Sequence, residues 1–97
     1  MKFGVRLEGM NYELLFEEQQ QVLGFVTTRF VKAKTQDEAE LKAVDLIRND
    51  ESLNRIMVSG SLQVSTLRVT ELWQESWWKK TGGKGYTFFP MESNEEI

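Results

Sequence analysis

One stretch of the sequence, residues 24–48, is typical of a long strand that leads directly into a long helix. Its first part is rich in β-branched and aromatic residues, which suit a pleated, half-buried strand. Thr35 then opens a capping box, in which its hydroxyl accepts from the backbone N–H of Glu38 and the Glu38 carboxylate accepts from the N–H of Thr35. Apolar residues follow at helical spacing as far as Ile47. Since a helix with one apolar face needs a sheet or another helix to bury it, the stretch predicts an α+β fold.

The strand within this stretch carries apolar residues on both faces. They are Leu23, Phe25, Val31 and Ala33 in one phase of the alternation, and Val26 and Phe30 in the other. Either both faces of the strand are covered, or a bulge near residues 27–29 changes the phase. Because one helix covers only one face of a sheet, the other face needs the C-terminal segment or another copy of the chain.

The remaining segments supply partners for this strand. Residues 2–8 alternate as a half-buried strand, residues 9–11 are typical of a turn, and residues 12–17 predict a second strand before a polar connection. Beyond the helix, we expect a short second helix that begins after Asp50 and buries Leu53 and Ile56.

The last part of the chain predicts two more strands, one over residues 62–72 with a bulge near residues 65–66 and one over residues 85–90. The expected architecture is a mostly antiparallel sheet of about five strands with one principal helix, in the order β-β-β-α-β-β. A ferredoxin-like arrangement is the alternative. We expect a single domain over residues 1–91 and a disordered acidic tail over residues 92–97.

Composition narrows the functional classes. The 97 residues include no cysteine and no histidine, which excludes thiolate catalysis, Ser-His-Asp triads and sites with cysteine or histidine ligands. A formal net charge of −3 argues against broad binding to nucleic acid or to anionic membranes. We therefore expect a non-enzymatic cytoplasmic protein with no catalytic residue, no cofactor, no metal and no membrane partner.

All three tryptophans lie within residues 73–78 and are followed by lysines, which makes residues 73–84 the best functional candidate. Their spacing suits either a helix or an irregular loop. Three roles are open: the indoles cover the second sheet face, form the centre of a protein–protein interface, or stack on bases while the lysines bind phosphates. The candidate interaction surface comprises Val26, Phe30, Trp73, Trp77, Trp78, Lys79, Lys80 and Lys84.

Arg29 lies among apolar residues in the middle of the long strand. It either points to solvent or forms a cross-strand ion pair with Glu8, Glu13 or Glu71. The glycine-rich segment 82–85 lacks the spacing of a phosphate-binding loop and predicts a turn.

Several segments together resemble a family of small uncharacterised bacterial proteins: the opening strand, GFVTTRFVKA, EAELKAVDLIRND and GYTFFP. That resemblance implies a bacterial cytoplasmic protein and carries no known activity or functional residue. The order of elements is also similar to that of HicB-type antitoxin domains. Residues 32–35 replace the glycine-and-acid signature usual before the helix of that family, and no DNA-binding segment follows.

From these observations we expect an interaction module that associates with itself or with another protein, most simply as a homodimer. The alternative is a binder of single-stranded nucleic acid or of nucleotides, through residues 73–84.

Overall fold

The computed structural model describes residues 1–59, 64–79 and 85–91, which form an antiparallel sheet with helices on one face. Its elements are β1 (Lys2–Phe16), β2 (Gln19–Lys32), α1 (Gln36–Arg48), α2 (Glu51–Ile56), β3 (Thr66–Glu75) and β4 (Tyr86–Pro90). The strands lie in the order β3-β1-β2-β4. The α+β class and the main helix are confirmed, whereas the described residues form four strands and not five. The predicted acidic tail lies outside the described residues.

A single long hairpin, β1–β2, replaces the first three predicted strands. The turn expected at residues 9–11 is wrong, because β1 continues to Phe16 and pairs with Gln19 across a two-residue turn. Glu17 and Glu18 in that turn have φ values of 50° and 67°, the left-handed conformation that two-residue hairpin turns of type I′ require. A hairpin between the first two strands also rules out the ferredoxin-like alternative, in which a helix joins them.

Residues 10–11 form a bulge in β1. Gly9 pairs with Phe25 and Tyr12 pairs with Leu23, so two residues of β1 face one residue of β2. Asn11 has a φ of 60°, which asparagine tolerates better than most residues. The extra residue changes the phase of β1, which keeps both halves of the strand on the same core. By contrast, β2 pairs without a shift over residues 25–32, which excludes the alternative of a bulge near residues 27–29.

The core lies between the sheet and α1. The helix buries Ala39, Ala43 and Ile47, which follow one another at intervals of four residues. The small alanines let the helix approach the sheet closely, while Leu41 and Leu46 remain exposed, so the buried stripe is narrower than the sequence indicates. Strands β1 and β2 contribute four of the five largest fully buried side chains, and Ile47 of α1 is the fifth. The four are Val5, Leu7, Leu14 and Phe25.

Local signals at both helix starts are largely confirmed. The Glu38 N–H donates to Thr35 Oγ1 at 3.1 Å, as the capping box predicts. The Glu38 carboxylate instead accepts from the N–H of Lys34. The side chain of Asp50 caps α2 by accepting from the N–H of Ser52 at 2.9 Å. None of the described helices is long and apolar enough to span a membrane.

Strand β3 begins after residues 64–65 and ends later than the sequence indicates, while residues 62–63 of the predicted strand lie outside the described residues. It covers Thr66–Glu75, and its register shifts beside Thr70, not near residues 65–66. Trp73 therefore lies inside a strand, which excludes a helix that begins there. The final strand is confirmed as β4, with Tyr86 and Phe88 on one face.

Gly9 should be intolerant of any side chain. A Cβ at this position would lie 2.3 Å from the Phe25 ring, which is completely buried and bounded by Tyr12 and Tyr86. We expect Gly9→Ala to lower the free energy of unfolding by about 1–3 kcal/mol, because the ring has no space to move into. Urea unfolding followed by circular dichroism measures the change.

The matched control is Gly85→Ala, since a Cβ there meets nothing within 4 Å. Its free energy of unfolding should stay within about 0.5 kcal/mol of the wild type. Equal destabilisation by the two substitutions would contradict the packing described for Gly9 and Phe25.

Candidate interaction surface

One face of the sheet, here called the open face, points away from both described helices. Its side chains belong to the alternation phase that pairs Gly4 with Phe30 and Glu8 with Val26. Val26 and Phe30 are half-buried there, where the sequence indicates that a second cover is needed. The apolar side chains of the open face are Met10, Leu15, Val22, Val26, Phe30, Trp73 and Phe89.

Trp73 lies flat across the open face. A Cβ on Gly4 would be 2.3 Å from the indole, so the ring occupies the space that a side chain would take on β1. The indole meets the edge of Phe30 at a centroid distance of 6.2 Å and an angle of 81°. Its Nε1–H donates to Glu75 Oε1 at 2.9 Å. Trp73 and Phe30 thus form a half-buried aromatic pair over Gly4, and the indole N–H is already hydrogen-bonded.

A second glycine–aromatic pair lies on the other half of the open face. The Phe89 ring on β4 covers Gly24 on β2, where a Cβ would approach the ring to 2.4 Å. Phe89 pairs with Gly24 and Thr87 pairs with Val26, so Phe89 and Val26 are diagonal neighbours on the open face. Phe89 was not among the residues selected from sequence. The alternation of β4 could have revealed it, since Tyr86 and Phe88 occupy the opposite phase.

Charged side chains occupy the half of the open face formed by β1 and β3, where they pair with one another. Arg6 Nη1 lies 3.5 Å from Glu71 Oε1, and Arg68 Nη2 lies 2.9 Å from Glu8 Oε1. Exposed pairs of this kind contribute at most about 1 kcal/mol each to folding. Their importance here is that each of these four charges on the open face lies beside a charge of opposite sign.

The outer strands of the described sheet are poor templates for pairing with another strand. Strand β4 has five residues and ends in Pro90, which lacks a backbone N–H. Strand β3 has a register shift beside Thr70 and carries Arg68, Glu71 and Glu75. Short length, proline, bulges and charge all hinder edge-to-edge pairing. Both outer strands of the described sheet therefore resist pairing with another strand.

The remaining tryptophans are separate from Trp73. Trp77 and Trp78 lie in the turn after β3 and are 81% and 71% exposed. Their rings meet edge to face at 5.9 Å and 87°. Lys79 follows them, and Lys80 and Lys84 lie outside the described residues. The structure thus divides the tryptophan-rich segment into one indole on the sheet and two in solvent.

A polar cluster lies on the covered face, centred on Arg29. Arg29 Nη2 is 3.4 Å from Asp50 Oδ2, and the two side chains are 6% and 20% exposed. Arg29 also donates to the Thr27 hydroxyl, which itself donates to the carbonyl of Gly85 at 2.7 Å. The Tyr86 hydroxyl donates to Asp50 Oδ2, and the guanidinium lies 5.0 Å from the centre of the Tyr86 ring. Arg29 thus ties β2 to β4 and to the start of α2.

The partner of Arg29 differs from those expected. Glu8 and Glu71 lie on the open face and pair with Arg68 and Arg6, whereas Arg29 points to the helices and pairs with Asp50. Sequence reasoning considered only acids on neighbouring strands. Asp50 is 21 residues away in a helix cap, and no local pattern links it to the strand.

The environment of Asp50 shifts two pKa values in opposite directions. Burial acts to raise the pKa of Asp50, but hydrogen bonds from Tyr86 and Ser52 and the charge of Arg29 outweigh it and hold the pKa below its ordinary value. Burial raises the pKa of Tyr86, and the hydrogen bond to Asp50 and its negative charge raise it further. Tyr86 therefore remains a hydrogen-bond donor well into alkaline pH.

The Asp50 carboxylate should make the free energy of unfolding depend on pH in the acidic range. Because its pKa in the folded protein lies below the ordinary value of 3.8, the stabilisation is complete above that pH and is lost as pH falls through the folded pKa. Asp50→Asn should lower the free energy of unfolding by about 2 kcal/mol near neutral pH, since it leaves Arg29 without this counter-charge.

Urea unfolding between pH 2 and pH 7 tests this expectation, with Asp45→Asn on the exposed surface of α1 as the control. The wild type and the Asp45 variant should lose stability more steeply in acid than the Asp50 variant. Parallel pH profiles for all three proteins would show that Asp50 does not contribute in this way.

Comparison of the chain with protein-family models, with curated proteins and with solved structures found no match, so the candidate surfaces rest on the geometry of this chain alone.

Proposed function

We propose that this chain is a non-enzymatic interaction module that forms a homodimer through the open face of its sheet. The observation that carries the proposal is the apolar band of β2 and β4, where Val22, Val26, Phe30 and Phe89 share one face with no described helix above them. An apolar sheet face of this kind is ordinarily covered by another layer. In the homodimer, the apolar band of the second copy forms that layer.

The area of the open face suits a dimer. The four strands have 15, 14, 10 and 5 residues. With a rise of about 3.4 Å per residue and a spacing of about 4.8 Å between strands, their combined face measures about 700 Å². A standard specific interface buries about 800 Å² on each partner. Face-to-face packing of two copies thus approaches the area that stable association needs.

The charge pairs on the open face are compatible with packing against a second copy. The chain has a formal net charge of −3, so two copies repel each other at long range. On the open face, however, Glu8 and Glu71 are each paired with an arginine. Trp73 already donates its N–H to Glu75, so a partner can cover the ring without leaving a donor unsatisfied. These four charges and the Trp73 donor therefore already have partners within the chain before two open faces pack together.

Binding of nucleic acid through residues 73–84 has less support. That hypothesis needs three accessible indoles, and Trp73 is packed over Gly4 and against Phe30. One side of the Trp73 ring is therefore occupied by the sheet, which reduces the stacking surface to Trp77 and Trp78.

A substitution on the open face should disrupt the dimer. We expect Thr87→Arg to raise the dissociation constant by about tenfold or more, because it places an unpaired charge beside Val26 at the centre of the apolar band. Thr87 is exposed, so the variant should fold. Multi-angle light scattering at micromolar concentrations should give the mass of two chains for the wild type and of one chain for the variant.

The control is Leu41→Arg on the exposed side of α1, which introduces the same charge away from the open face. It should remain dimeric. A wild type that is monomeric at every concentration, or a Leu41 variant that dissociates like the Thr87 variant, would overturn the proposal.

A further inference from the structure

The turn after β3 presents the most exposed aromatic surface among the described residues. Trp77 and Trp78 are 81% and 71% exposed, and Met1 beside them is also exposed. Lys2 Nζ donates to the carbonyl of Lys79 at 2.7 Å, which fixes the turn against the start of β1. These five residues are here called the Trp corner. Trp77, Trp78 and Lys79 follow β3 and lie outside the open face, so dimerisation through that face leaves both indoles uncovered, whereas Lys2 lies at the end of the open face.

We propose that the Trp corner docks on the surface of a phospholipid bilayer, with both indoles at the depth of the headgroups. Indole has a large apolar ring and one N–H donor, and this combination favours the boundary between lipid and water. The inference departs from the sequence-based expectation of no membrane partner. It concerns docking at the surface and does not depend on self-association.

The geometry of the two rings fits a bilayer better than a stacked ligand. Trp77 and Trp78 meet at 87°, so the edge of one ring occupies part of the face of the other. The pair therefore offers no shared flat platform for successive bases or for a sugar. The lipid headgroup region imposes no fixed geometry, and a protruding pair of perpendicular rings can enter it.

The two lysines of the Trp corner also favour phospholipid as the partner. Lys79 Nζ lies 3.5 Å from Glu75 Oε2 and its side chain remains 66% exposed, so its ammonium group can also reach a lipid phosphate. Lys2 adds a second cation. A polyanion such as nucleic acid would be repelled by the formal net charge of −3, whereas a zwitterionic headgroup layer carries no net charge.

Vesicle binding tests the inference directly. The full chain is mixed with vesicles of phosphatidylcholine, or of an equal mixture of phosphatidylcholine and phosphatidylglycerol, and binding is followed by co-sedimentation and tryptophan emission. We expect the wild type to sediment with the vesicles and its emission to shift to shorter wavelength. Replacing both Trp77 and Trp78 by alanine should lower the partition coefficient by about tenfold or more.

The control is Leu41→Ala, which removes an exposed apolar side chain from α1 and should leave vesicle binding unchanged. The double tryptophan variant keeps Trp73, whose emission reports that the sheet remains folded. Its mass in light scattering should equal that of the wild type, which separates this inference from the proposed dimer.

Three results would overturn the inference. They are an absence of wild-type binding to both kinds of vesicle, equal binding by the double tryptophan variant, and saturable quenching by a single-stranded oligonucleotide at low salt without any response to vesicles. The last result would assign the Trp corner to nucleic acid instead.

Discussion

The pairing of β1 with β2 is the constraint on which the rest of the fold depends. The two strands are 15 and 14 residues long, and the two other described strands flank this hairpin, β3 beside β1 and β4 beside β2. The bulge at residues 10–11 allows Leu7 and Leu14 to point into the same core although one is odd and the other even. Without the extra residue, one half of β1 would turn its apolar side chains away from α1.

A consequence of this pairing is that the two faces of β2 have different roles. The face towards α1 carries Phe25 and the ion-paired Arg29, and it joins β2 to α2 and β4 through Asp50 and Tyr86. The opposite face carries Val26 and Phe30, which no described helix covers. Removing water from Arg29 is costly, and its hydrogen bonds offset that cost within the fold.

Sequence patterns predicted well where neighbouring residues determine the structure. Thr35 and Asp50 cap their helices as expected, and the double apolar character of β2 located the open face. The patterns failed where distant pairing overrides a local signal. Gly9 and Asn11 are typical turn residues, but Gly9 pairs with Phe25 inside β1 and Asn11 lies in the bulge. Glu17 and Glu18 form the turn, although glutamate rarely adopts positive φ. The Arg29–Asp50 pair depends on where a helix ends in space, and sequence spacing holds no information about that.

The glycines on the open face have a further consequence. Gly4 and Gly24 lie beneath Trp73 and Phe89, so the height of each ring above the sheet is set by the residue under it. Adding a methyl group at either glycine would lift the ring and create a ridge, while every exposed side chain stayed the same. The shape of this surface therefore depends partly on buried glycines beneath the rings. Replacing either glycine by alanine would therefore change the shape of the open face without changing any side chain on its surface.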